Sequence, residues 1–87
     1  MENGAAAEVN GIGYETLEQA IDAVSNNGTV TLTADNDEDI AVSRKITFIL
    51  DPNGYSFTGS ITAGAQYEMT KTEYADGTIK YTFDDVQ

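Results

Sequence analysis

The chain has 87 residues, enough for one domain with a thin core. It contains no cysteine and no histidine, so no disulfide closes the fold, and the commonest general base and metal ligands are missing. Fifteen acidic residues against 4 basic ones give a net charge of −11, which repels a phosphate backbone and an anionic membrane surface and argues against both partners.

No apolar run is long enough to span a bilayer, and the first residues lack the basic, apolar and small-residue succession of a signal peptide. Residues 1–7 read as a tag or linker, and 8–87 as a single helix-capped β domain. Glu8 to Tyr14 is short and glycine-interrupted, a first strand or strand-turn. Thr16 is placed to cap a helix, with Gln19 at the capping-box spacing. Leu17, Ala20, Ile21 and Val24 then form one apolar stripe. Asn27 and Gly28 supply left-handed residues to end the helix, predicting a span from Leu17 to Asn26. So short a helix is stable only when its stripe is packed.

Short strands follow. Val30 and Leu32 alternate, then Ile40 and Val42 beyond the acidic run Asp35 to Asp39, then Ile46, Phe48 and Leu50 with Ile49 on the other side. Asp51-Pro52-Asn53-Gly54 is a turn signal. Tyr55 and Phe57 alternate, as do Ile61 and Ala63. The apolar pairs beginning at Val30, Ile46 and Ile61 recur at about 15–16 residues, and those at Ile40 and Tyr55 at 15, a period suggesting stacked coils. Asp76-Gly77 signals a two-residue type I′ hairpin turn, which sets Tyr74 opposite Ile79, Glu73 opposite Lys80, Thr72 opposite Tyr81 and Thr70 opposite Phe83.

The predicted fold is mainly β with one N-terminal helix: short, right-handed parallel β-helix-like coils capped by the helix and ending in a hairpin. An α+β domain with a mostly antiparallel sheet is the alternative. The run Gly13-Tyr14-Glu15-Thr16-Leu17-Glu18-Gln19-Ala20-Ile21-Asp22-Ala23-Val24, followed by Gly28-Thr29-Val30-Thr31-Leu32, Ile46-Thr47-Phe48-Ile49-Leu50-Asp51 and Asn53-Gly54-Tyr55-Ser56-Phe57-Thr58-Gly59, resembles the unit that opens parallel β-helix segments in large surface proteins of Gram-positive and gut bacteria. The resemblance covers roughly residues 8–64 and implies a helix closing the end of the coils. Pro52 stands where that family has an apolar residue, and about two coils are too few for a full β-helix.

Asp35, Asp37 and Asp39 have the alternation of a weak Ca²⁺ site, but Ile40 and Ile46 occupy the positions where an EF-hand loop needs Gly and Glu, so a solvated turn is the expected role. The carbohydrate chemistry of β-helix relatives needs paired carboxylates beside a groove. Two coils offer little groove, and Arg44 and Lys45 are the only basic residues near the acidic run. No catalytic residue and no cofactor is therefore expected. Tyr55, Tyr67, Tyr74 and Tyr81 are candidates for a binding face toward a glycan or host protein, with half-buried packing as the plainer role. These readings converge on a non-catalytic structural or spacer module, secreted or on the cell surface, whose partners are neighbouring domains of a larger protein. Open strand edges predict a monomer or a weak edge-strand dimer.

Overall fold

The computed structural model describes residues 5–86. The chain is mainly β with one short helix: β1 (Ala7–Val9), β2 (Ile12–Tyr14), α1 (Leu17–Ala23), β3 (Gly28–Leu32), β4 (Asp39–Val42), β5 (Ile46–Asp51), β6 (Ser60–Ala63), β7 (Tyr67–Glu73) and β8 (Ile79–Asp85). β1 begins inside the segment read as linker, because Ala7 is fully buried and pairs with both Tyr14 and Leu32. Asn10 and Gly11 both have positive φ, 53° and 81°, so this Asn-Gly dipeptide makes the two-residue type I′ connection between β1 and β2.

The large sheet has the order β2-β1-β3-β5-β8-β7, and β4 and β6 form a separate two-stranded parallel sheet. Within the large sheet only β3 and β5 are parallel; its other neighbours are antiparallel. The sheet is thus mixed, closer to the mostly antiparallel alternative than to a solenoid of coils. The expected 15–16-residue period does not set the register. Val30 pairs with Leu50 and Ile40 with Ile61, at offsets of 20 and 21 residues. Ile46, which the period aligned with Val30, lies opposite Phe83 instead. The Tyr55 to Phe57 strand reduces to a single bridge between Asn36 and Phe57. The offset grows by one where Asn53 and Gly54 turn left-handed, φ 54° and 83°, and the Tyr55 N–H donates to the Pro52 carbonyl.

One core joins both sheets and the helix. Alternation delivers it: Val30 and Leu32 from β3, Ile46, Phe48 and Leu50 from β5, Ile40 and Val42 from β4 and Ile61 from β6 are all buried. Phe48, Tyr81 and Phe83 stack at centroid separations of 5.5, 6.0 and 6.3 Å. Each such side chain taken out of water contributes roughly 1.5–3 kcal/mol against chain entropy.

The helix caps at Thr16, whose Oγ1 accepts the Gln19 N–H at 3.0 Å. It ends at Ala23 rather than Asn26, since Val24 is already extended and buried. Asn27 does turn left-handed, φ 67°, but it serves the turn into β3, donating its N–H to the Thr47 carbonyl.

The C-terminal hairpin forms with a register one residue from the expected one: Glu73 faces Ile79, Lys71 faces Tyr81 and Met69 faces Phe83. Gly77 has φ 95°, whereas Asp76 is not left-handed, so the turn is not type I′. Tyr74 and Thr78 close a three-residue loop through the Tyr74 N–H to Thr78 carbonyl bond of 2.9 Å. The shift replaces the expected Glu73–Lys80 pair with a Lys71–Glu73 ion pair at 3.4 Å along β7.

Candidate functional site

Two concave regions lie near the residues singled out by the sequence. The first surrounds the acidic run. Asp35 Oδ1 accepts the Ser56 N–H at 2.9 Å, and Asp39 Oδ1 accepts the Ser60 hydroxyl at 3.1 Å. Asp37 is exposed. Asp35 and Asp37 border a shallow hollow of about 330 Å³ with Asn36, Ser56 and Thr58, and Asp39 does not. Among the described residues no group of three or more acidic side chains is placed to hold a metal ion. Two of the three carboxylates singled out in the sequence, Asp35 and Asp39, serve as stitches between chain segments 21 residues apart.

The residue in this run with most structural consequence is Glu38. Its Oε2 accepts the Leu17 N–H at 2.7 Å and the Asn36 side-chain amide at 2.9 Å, and its Oε1 accepts the Glu18 N–H at 3.2 Å. Glu38 thereby satisfies two of the donors that the first turn of α1 leaves free. Burial works against its charge, but the bonds from Asn36, Leu17 and Glu18 outweigh it and hold the carboxyl below its ordinary range. Asn36, the one buried polar residue in this set, also ties adjacent segments through its main chain, donating to the Ser56 carbonyl and accepting from the Thr58 N–H, each at 2.8 Å. At the other end of α1, Arg44 donates to the carbonyls of Ile21 at 2.7 Å and Val24 at 2.9 Å. Arg44 is thus a helix C-terminal cap, and Lys45 pairs with Asp84 at 3.5 Å on the surface.

The second region is an apolar cleft of about 380 Å³ between β6 and the β7–β8 hairpin. Its walls include Leu50, Tyr55, Phe57, Ile61, Met69 and Ile79. The tyrosines divide around it. Tyr55, 43% exposed, and Tyr81 both line the cleft, but Tyr81 is 2% exposed and stacked in the core. Burial, then the negative charge of Glu73, push the Tyr81 hydroxyl above its ordinary pKa. Tyr67 begins β7 opposite Asp85, and Tyr74 lies beyond the other end of β7 in the hairpin loop. The register sets Tyr67 on the same side of the hairpin as Tyr81, and Tyr55 shares the cleft with Tyr81.

The sequence does not display Glu38 and Arg44 as anchors, because their partners on α1 lie 20 or more residues away. Only the Asn-x-Glu spacing at 36–38 hinted at a locally bonded turn, in which the Glu38 N–H donates to Asn36 Oδ1 at 2.9 Å. No family model, curated protein or solved structure matches the chain. No helix among the described residues is long and apolar enough to cross a membrane.

Proposed function

We propose that this chain is a non-catalytic structural spacer in a secreted or cell-surface bacterial protein, linked to neighbouring domains. In this reading β3 with β4 and β5 with β6 are two short β-helix-like coils, stacked through the parallel pairs β3–β5 and β4–β6 and flanked in the large sheet by the β1–β2 and β7–β8 hairpins. The resemblance to opening units of surface-protein repeats supports it.

The direction of the strands carries the proposal. β1 is antiparallel to β3, β3 parallel to β5, and β5 antiparallel to β8. β1 and β8 therefore run the same way on opposite sides of the parallel pair. Tension between the start of β1 and the end of β8 acts along the strands, so the ladders are loaded in shear, many bonds at once. A spacer under load gains from that arrangement, because forced unfolding is governed by the unfolding barrier.

Optical-tweezer stretching tests this. Handles attached at Ala5 and Val86 load the shear geometry. Handles at Gln66 and Val86, where the Val86 N–H donates to the Gln66 carbonyl, unzip the terminal hairpin instead. The expected rupture force is clearly higher in the first arrangement, and equal forces in the two would overturn the spacer reading.

A further inference from the structure

A strand edge with free peptide groups pairs with other chains unless it is short, charged or covered. Among the described residues, three of the four outer edges are managed. β2 is only three residues long. β7 carries Glu68, Lys71 and Glu73. β4 carries Asp39 and is flanked by Glu38 and Arg44, whose side chains are bound to the two ends of α1.

β6 is the exception. Its sequence, Ser60-Ile61-Thr62-Ala63, carries no charge. The Ser60 N–H donates to the Glu38 carbonyl and the Gly64 N–H to the Val42 carbonyl, at 3.0 and 2.8 Å. In a parallel ladder the alternate residues, Ile61 and Ala63, turn their N–H and C=O groups to the other side. No strand among the described residues pairs with that side. The apolar cleft, walled by Phe57, Ile61, Met69 and Ile79, lies beside this strand.

Charge selects the occupant. Arg44, Lys45 and Lys71 account for three of the 4 basic residues, and each is engaged within the chain. Lys71, the cation lining the cleft, is held by Glu73 at 3.4 Å. Asp39 sits against Ser60 at the start of β6. A second copy would bring another −11 to this edge and be repelled, whereas a cationic segment is drawn to it. We propose that the outer edge of β6 and its cleft take an extended peptide in which basic residues alternate with apolar ones. The peptide adds a third strand to the small sheet, its apolar side chains entering the cleft and its lysines or arginines on the exposed face of the sheet, which carries Asp39. This goes beyond the spacer reading and does not depend on it.

The test titrates the folded chain with a short synthetic peptide alternating lysine and valine, following the Ile61 and Ala63 amide signals by NMR. A glutamate–valine peptide and a lysine–valine peptide N-methylated at alternate residues are the comparisons. The lysine peptide is expected to bind saturably and shift both amides, while both comparisons bind at least about tenfold more weakly. Ala63→Pro removes an outward N–H and leaves the Gly64 bond to β4 in place, and proline is tolerated on an edge strand; it is expected to weaken binding about tenfold. If that variant does not fold, Tyr55→Ala, which trims an exposed wall of the cleft, is expected to give the same weakening. Absence of binding, equal binding of the N-methylated peptide, or a concentration-dependent dimer that shifts the Ile61 and Ala63 amides without peptide would each overturn the proposal.

Discussion

At the scale of single residues, the helix shows which interactions a sequence displays and which it hides. Thr16 and its bond to the Gln19 N–H are legible because donor and acceptor lie three positions apart. Glu38 is not, because it reaches α1 across 20 and 21 residues, and within an acidic run its carboxylate looks like solvated charge. Replacing it by alanine leaves the Leu17 and Glu18 N–H groups to water. The expected loss is about 1 kcal/mol, in line with loss of a helix cap at a partly exposed site, read as a lower midpoint in urea unfolding. The sign of the pH effect follows from the lowered pKa of Glu38. Its contribution is present above the pKa of an unfolded glutamate and fades as pH falls through the lower, folded value. Urea midpoints measured from pH 6 downward should therefore fall more steeply for the parent chain than for Glu38→Gln, and parallel curves would remove Glu38 from the explanation.

Among the elements, existence was more legible than register. β3, β4, β5 and β6 lie on the apolar alternations that marked them, because a half-buried strand needs apolar residues at every second position. The two hairpins show the limit. Asn10-Gly11 forms the type I′ turn, while Asp76-Gly77, with an equally good dipeptide, takes one more loop residue. The core decides between them: the observed register puts Met69 opposite Phe83 on the buried side, where the two-residue loop would have put Thr70. Gly59 marks another contact invisible in the sequence. A Cβ built there falls on the Glu38 carbonyl, so the segments before β4 and β6 approach more closely than any side chain permits. Gly59→Ala must push backbone from backbone, and a loss of about 2 kcal/mol or more is expected by thermal unfolding. Gly54→Ala is its counterpart: space is open around it, but φ is 83°, so the cost is left-handed strain alone, roughly 1–2 kcal/mol.

Over the whole molecule, the spacing of apolar pairs does not give the register, because a sequence does not say which pairs share a sheet. Val30 and Ile46 looked like successive turns of one series. Yet β3 overlaps only the second half of β5, from Phe48 to Asp51, so Val30 pairs with Leu50, while β8 runs along the other edge of β5 from Ile46 to Leu50. The same overlap makes β5 the strand on which everything converges: it pairs with β3 and β8, and its Phe48 stacks on Tyr81 and Phe83. Phe48→Ala would open a cavity between the parallel pair and the terminal hairpin, at a cost of about 3–5 kcal/mol. A domain of this size holds roughly 4–13 kcal/mol in total, without a disulfide to limit the unfolded chain. Circular dichroism should therefore find Phe48→Ala unfolded or melting far below the parent. Tyr81→Phe keeps the stacked ring and should melt close to the parent at neutral pH. At alkaline pH the two should separate in a defined direction. The raised pKa of Tyr81 favours the folded state only while its hydroxyl stays protonated, so its contribution is complete below the pKa of an unfolded tyrosine and is lost as pH rises through the folded value. The parent should accordingly lose stability faster than Tyr81→Phe above pH 10, and identical alkaline melting curves would show that the hydroxyl is not confined by the core.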